Sequence, residues 1–472
     1  MKLKSLTKGL DVVVKGSKEV EITGVSADSR TVAPGNLFIA KKGAAHDGNQ
    51  FISQAINAGA CAIATDIYDP FLEVPQIIHS NTNLIEAKLA SRYYGQPSKD
   101  LFVVGVTGSK GKTTTTYLIK HLLDALNKRS GLIGTIETIF AEHRFFSSMT
   151  THDAITNQKW LKEMLNKGCK AAVLEVSSHG LAQGRVDEID FDLGVFMNLY
   201  PDHLDFHKSI EEYAAAKRKL FEKAHHNILN ADSPWAEFMG KGLTFGIEKG
   251  DLRAQKIVLS AEGSRFEVDG CEFSTPLIGK FNVYNAMAAI AVGVQVGASL
   301  HEIQHIMSHF DAVPGRMERI GNVFVDFAHT GEALENVLQT LKEIAKGRVI
   351  VVFGCGGQRD PGRRVSMAKA AQKWADISII TSDNPRKEDP NEIARQIVAE
   401  FQNKPHVELD RKKAIAIAIA MAGKDDMVVV AGRGHEKVQI LAQQTVAFDD
   451  AETVKNILQN KVGLDAPSHS LL

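Results

Sequence analysis

Phe102-Val-Val-Gly-Val-Thr-Gly-Ser-Lys-Gly-Lys-Thr-Thr-Thr115 is the stretch on which the reading of the fold turns. Residues 101–106 have the length and apolar content of a buried strand, and a glycine-containing turn follows at once. Beyond it, Leu118, Ile119, Leu122, Leu123 and Leu126 put one apolar stripe on a helix that Gly131 is expected to end. A turn at a helix N-terminus aims backbone N–H groups at phosphate oxygens, and the helix dipole favours the anion. Gly108, Ser109, Lys110, Gly111, Lys112, Thr113 and Thr114 are therefore the candidate nucleotide-binding loop. Lys112 would reach the outer phosphates, and the Thr113 hydroxyl could ligate magnesium. The spacing is T-G-x-x-G-K-T, with Val106 where the commoner phosphate loop has its first glycine.

Outward from this loop, strand-like and helix-like runs alternate to about residue 317, which predicts a mostly parallel sheet. Residues 171–176 and 193–197 read as buried strands, a polar β-like stretch at 257–276 interrupts the pattern, and 284–296 reads as a helix. The last part alternates again, with strands expected at 323–326, 348–353, 377–381 and 427–431. These strands end in polar, glycine-rich turns, where open α/β sheets hold ligands. Residues 1–98 mix short strands with one helix near 51–58, and Pro97-Ser98 marks a break. The expectation is an α/β protein of three domains, at 1–98, 99–317 and 318–472, with a frayed tail after about Lys461.

A net charge of −1 over 472 residues offers no general attraction to nucleic acid or anionic lipid, so an anionic ligand needs a local site. Cys61, Cys169, Cys271 and Cys355 lie too far apart in sequence for a C-x-x-C zinc or disulfide pattern and suit a reducing compartment. With no signal-peptide pattern and no long apolar run, the chain is expected to be cytoplasmic and to bind neither membrane nor nucleic acid.

The T-G-x-x-G-K-T-T form resembles the Mur ligases and their folylpolyglutamate synthase relatives. Further pieces follow in the order of the Mur ligase family: Asp28-Ser-Arg, Thr150-Thr, Glu175-Val-Ser-Ser-His-Gly-Leu, Asp202-His-Leu-Asp and Ala215-Ala-Lys. After these come Gly279-Lys-Phe-Asn-Val-Tyr-Asn, Pro314-Gly-Arg-Met-Glu, Val325-Asp-Phe-Ala-His-Thr, Phe353-Gly-Cys-Gly-Gly, Asp383-Asn-Pro-Arg and Gly432-Arg-Gly-His-Glu. His152, Met149, Pro201 and Gly331 depart from the pattern. The resemblance implies an N-terminal UDP-sugar domain, a central ATPase domain and a C-terminal Rossmann-like domain. It implies a monomeric enzyme of peptidoglycan precursor synthesis that uses ATP to join meso-diaminopimelate to the D-Glu γ-carboxylate of UDP-MurNAc-L-Ala-D-Glu through an acyl phosphate.

Residue roles come with that resemblance. Lys112 matches the cation at the transferring phosphate, while Thr113, Glu175 and His203 match the magnesium site. By pattern alone Lys217 is an exposed lysine on a helix at 210–222; by resemblance it is a carbamylated lysine holding a second magnesium ion. Asn285, Arg316 and Asp326 resemble ATP contacts. Ser29, Gly43 and His46 match the uridine region, and Thr150, Thr151, Ser177, Gln183 and Arg185 the muramoyl-peptide contacts. Arg359, Asp383, Asn384, Pro385, Arg386, Gly432 and Glu436 match the diaminopimelate site. Arg386 would take the distal carboxylate that lysine lacks, and a buried Arg386 left unpaired would reject lysine about a thousandfold. Three other readings stand beside this one: a ligase of the same type adding L-lysine, a folylpolyglutamate synthase-like ligase, and a nucleotide-binding protein without catalysis.

Overall fold

The computed structural model describes residues 1–43 and 47–465, with side chains described through residue 460. It is an α/β protein of three domains, each built on its own sheet. In the first sheet, Gly24–Ser26, Asn36–Ile39, Ala62–Thr65 and Gln76–Ile78 run parallel, with Val13–Lys15 antiparallel at one edge.

Nine strands make the second sheet. Seven are parallel, in the order Leu252–Arg253, Leu243–Gly246, His226–Asn230, Leu193–Phe196, Phe102–Thr107, Ala171–Glu175, Ser130–Ile133. The meander Glu137–Phe140 and His143–Phe146 extends it antiparallel. Phe102–Thr107 is central and lies between strands that come later in sequence. The loop that follows it therefore opens at a switch point on the sheet's carboxyl edge, with the helix Lys112–Ala125 behind it. That helix ends at Ala125, where Asn127 takes the left-handed conformation (φ 59°). Gly131 does not end it. It lies inside the strand Ser130–Ile133, where a Cβ would stand 2.3 Å from the Met164 sulfur.

The third sheet runs Glu318–Ile320, Val323–Asp326, Met427–Ala431, Val349–Phe353, Ile377–Ile380, His406–Val407, parallel except for the first strand. Its strands read as unbroken apolar runs because both faces are covered. Val349, Val351 and Phe353 join one core, while Ile350 and Val352 join the opposite one. Side-chain caps start the surrounding helices: Asp153 accepts from Thr156 N–H, Ser209 from Glu212 N–H and Thr330 from Ala333 N–H.

By compactness the chain forms two units, Met1–Ala254 with Tyr284–Ile306, and Gln255–Val283 with the residues from Met307 onward. The polar stretch at 257–276 is a three-stranded antiparallel sheet belonging to the second unit. The helix expected at 284–296 is Lys280–Gln295, and the last helix runs to Asp465, past the point where fraying is expected. Among the described residues no helix is long and apolar enough to cross a membrane.

Candidate functional site

In the first unit the expected phosphate loop, 108–114, folds back on its own Lys112. Gly111 sits at φ 88°, and a Cβ there would lie 2.5 Å from Asn285 Oδ1, so conformation and space both demand glycine. Asn285 Oδ1 also accepts from the Thr115 hydroxyl at 3.3 Å. Lys112 Nζ donates to Gly108 O at 2.7 Å and Ser109 O at 3.2 Å. Lys217, on the helix Ile210–Lys223, donates to the same Gly108 oxygen at 3.0 Å. The helical pattern alone placed Lys217 in solvent; instead it is 1% exposed, with its ammonium 4.4 Å from the centre of the Tyr213 ring. Burial, with Lys112 beside it, pushes its pKa well below that of an ordinary lysine. Ser109 Oγ lies 3.0 Å from Tyr213 Oη, and Asn198 holds Lys110 by accepting from its N–H and donating to its carbonyl oxygen.

Glu175 ends its strand 1% exposed, yet its carboxylate is well satisfied. Oε2 accepts from the Thr113 hydroxyl at 3.0 Å and the Thr135 hydroxyl at 2.9 Å, and Oε1 from Thr135 N–H at 2.8 Å. The Thr135 hydroxyl is also 3.1 Å from that of Thr150. Thr151 donates to Glu175 O and accepts from Ser177 N–H; Arg185 donates to Thr151 O and to Gln183 Oε1. The expected phosphate and muramoyl-peptide residues of this unit thus meet along one carboxyl edge of the sheet. His203 stands in the left-handed region (φ 54°), exposed, with its ring edge-on to His179 at 4.9 Å. Partial desolvation by the surrounding chain lowers its pKa, and Lys112 and Lys217 lower it further against the opposing pull of Asp202. Among the described residues no group of three or more His, Cys, Asp or Glu is arranged to hold a metal ion.

Elsewhere in this unit, Ser29 is buried and donates to Gln54 Oε1, while Gly43 is exposed in its loop. His46 lies outside the described residues. Met149, at a departing position, receives a weak 3.4 Å contact from Arg185.

The second unit gathers another polar cluster at the carboxyl ends of its strands. Asp383 is buried, and burial raises its pKa while Arg411 and Arg433 oppose the rise. Gly432 (φ 111°) approaches it so closely that a Cβ would lie 2.7 Å from Asp383 Oδ2. Asn384 Nδ2 donates to Glu436 Oε2 at 2.7 Å. Pro385 is buried, and half-buried Arg386 donates to Gly357 O at 2.8 Å and Asn384 O at 3.3 Å. Arg359 is exposed on the Gly356-Gly-Gln-Arg loop, and a Cβ on Gly356 would fall between Arg386 and Arg359. Asp326 accepts from Met317 N–H and Ala328 N–H, with Arg316 among the groups that counter its burial. The Arg316 guanidinium stacks 4.8 Å from the Phe327 ring. Gly331, a departing position, starts a helix so close to Ser366 that a Cβ would meet its Cβ at 2.5 Å.

Three Mur ligase domains match in sequence order: the catalytic domain at residues 21–94, the middle domain at 106–293 and the glutamate ligase domain at 315–434. The UDP-N-acetylmuramoyl-L-alanyl-D-glutamate–2,6-diaminopimelate ligase of Chlamydia caviae is 43% identical over 98% of this chain and 100% of its own length. The chain belongs to the Mur ligase family. The enzyme of the same name from Caldanaerobacter subterraneus is 41% identical over 97% of the chain and 99% of its own. A solved structure titled as that same ligase superposes with a TM-score of 0.72 at 31% identity, covering 98% of this chain and 99% of that one. A MurF ligase from Thermotoga maritima, 21% identical with a TM-score of 0.64 over 95% of this chain and 99% of that one, shares the fold.

The sequence of this Mur ligase does not single out Thr135, Asn198, Tyr213 or Arg411, and it offers Arg433 only as part of the Gly432-Arg-Gly-His-Glu stretch. Polar residues just past buried strands, as Thr135 and Asn198 are, give a weak signal for the first two. Buried Arg411 gives none, because its partner Asp450 lies 39 residues away in the chain.

Proposed function

We infer that this chain is an ATP-dependent carbon–nitrogen ligase that joins diaminopimelate to UDP-MurNAc-L-Ala-D-Glu in peptidoglycan precursor synthesis. The observation that carries the reading is the pairing of a phosphate loop, backed by two lysines on one carbonyl, with a separate Asp-Asn-Pro-Arg cluster at a second sheet's carboxyl edge. The D-Glu γ-carboxylate would attack the γ-phosphorus of ATP, releasing ADP and leaving an acyl phosphate. The amine of meso-diaminopimelate then adds to that carbonyl, and inorganic phosphate leaves. No protein nucleophile is required, so catalysis consists of positioning and charge neutralisation. Lys112 would leave its loop carbonyls for the transferring phosphoryl group, while Asn285, Arg316 and Asp326 would help to hold ATP.

Magnesium fits the donors present. Thr113 Oγ1 lies 3.0 Å from Glu175 Oε2, and hard oxygens of this kind suit an ion completed by phosphate oxygens and water. Thr113, Glu175 and His203 would hold one such ion and a carbamylated Lys217 a second, supplying neutralisation of phosphate charge. Carbamylation needs a neutral amine to attack carbon dioxide, losing one proton as the N–C bond forms, and the buried, pKa-depressed Lys217 is such an amine. Ser29, Gly43, His46, Thr150, Thr151, Ser177, Gln183 and Arg185 are the proposed contacts of the UDP-sugar peptide. We place the enzyme in the cytoplasm as a monomer.

For the amino acid, Arg386 would bind the distal carboxylate and Asn384 would donate to it, with Glu436 accepting from the distal ammonium and Arg359 a further contact. Because Arg386 is half-buried rather than buried, the expected discrimination against lysine falls to about a hundredfold. The test is ligation of a panel of amino acids to UDP-MurNAc-L-Ala-D-Glu with ATP and magnesium. Meso-diaminopimelate should be ligated far faster than L-lysine, and Arg386→Ala should raise its KM without matching change for ATP. Efficient ligation of L-lysine by the unchanged protein would overturn the assignment.

A further inference from the structure

We propose that the antiparallel hairpin of strands Val438–Ile440 and Thr445–Ala447 sets the amino-acid preference, with Gln439 as a positioning residue that clamps the Asp383-Asn-Pro-Arg386 turn. The proposal rests on the diaminopimelate reading of that turn. Three hydrogen bonds tie hairpin to turn. Gln439, 9% exposed, donates from Nε2 to Asp383 O at 2.6 Å. Ile440 N–H donates to Asn384 Oδ1 at 2.8 Å, and Arg386 N–H donates to Ile440 O at 3.1 Å.

Each bond has a consequence for ligand chemistry. The bond from Ile440 N–H to the Asn384 amide oxygen fixes the amide's orientation, with its NH₂ group turned toward Glu436. One of its hydrogens goes to Glu436, leaving the other for a ligand carboxylate. Arg386 sits at φ 53°, a conformation that is strained for a non-glycine residue and persists only when its surroundings impose it. The bond to Ile440 O supplies that imposition and so aims the guanidinium. Arg433, fully buried, donates to Val438 O at 2.8 Å and Phe448 O at 3.0 Å, anchoring both legs of the hairpin at its base. The exposed faces of Val438 and Ile440 show that the hairpin is not held in place by core packing alone. Of the three bonds, two use the Ile440 backbone and one the Gln439 side chain, so Gln439 is the part of the clamp that a substitution can remove.

Gln439→Met keeps the volume and removes the donor; Gln439→Ala is the second variant, and melting temperature reports the fold of each. The assay measures KM for meso-diaminopimelate, ATP and UDP-MurNAc-L-Ala-D-Glu, kcat, and the rate ratio of diaminopimelate to lysine. Loss of the clamp should raise the diaminopimelate KM about tenfold and shrink the ratio to lysine, with kcat and the other two KM values within about twofold. An unchanged diaminopimelate KM in both variants, alongside a raised one in Arg386→Ala, overturns the clamp and spares the site. A kcat loss alone, or a rise in every KM together, marks general structural damage and overturns it too. No effect of Arg386→Ala on the diaminopimelate KM sinks the site reading and the clamp with it.

Discussion

Lys217 shows how far a residue's environment can depart from its helical position. An ammonium at 1% exposure, with Lys112 as a like-charged neighbour on the same carbonyl oxygen, is an unfavourable way to build a stable core. Its retention there is intelligible if the amine is converted to an anionic carbamate that works on the phosphates. Lys217→Ala should therefore cut turnover by at least about a hundredfold in a protein that still folds, as its melting transition reports. Short carboxylic acids should restore part of the activity by lending the missing oxygens. Turnover near that of the unchanged protein, in a folded Lys217→Ala variant, would remove the lysine from the mechanism. Thr135 makes a complementary point. A threonine with two hydrogen bonds to Glu175 and one to Thr150 is indistinguishable in sequence from any loop threonine.

At the scale of elements, strands and helices are positioned by a few buried ties between their ends. Arg411 opens the helix Arg411–Met421 and donates through Nε and Nη2 to both oxygens of Asp450, at the start of the last helix, at 2.7 Å. It also donates to Ala431 O, at the end of the strand that leads into the Gly432-Arg-Gly-His-Glu loop. Both partners of the pair have side chains with no exposed surface. Removing one leaves a buried charge without its counter-ion, which costs more than replacing both by apolar groups. Asp450→Ala should lower stability by about 3 kcal/mol in denaturant titration. Arg411→Met with Asp450→Leu should cost less than that single change, and a double variant worse than the single one would refute this account of the tie.

The whole molecule is not a string of consecutive segments. Its first compact unit takes Tyr284–Ile306 from beyond an excursion into the second, and Asn285 among them packs against the Gly111 turn. Gly293 on the helix Lys280–Gln295 lies so close to Leu122 and Ile303 that a Cβ would come within 3.0 Å of either side chain, while His121 bonds Ile306 O at 3.0 Å. A fragment ending at Ala254 would expose the apolar stripe of the helix Lys112–Ala125 and lose Asn285 from Gly111. It should be insoluble or bind ATP at least about tenfold more weakly than a fragment ending at Ile306, measured by calorimetry. Equal ATP affinity in the two would show that the returning helices are dispensable.

The central strands of the second and third sheets were legible from sequence because a strand covered on both faces is an apolar run, and 102–106, 171–174, 349–353 and 427–431 are such runs; the edge strands, such as 252–253 and 406–407, were not. The turn between strand and helix was legible because its conformation needs glycine at Gly111. Lys217's burial, the Arg411–Asp450 tie, the hairpin over Asn384 and the allegiance of 255–283 were not. Each depends on residues brought together from tens of positions apart, and no local pattern of polarity records which side chain will fill that space. Sequence by itself determined the order of elements and the chemistry available; the tertiary structure decided which charges are desolvated and which turns are held, because burial and hydrogen-bond geometry exist only once distant segments pack.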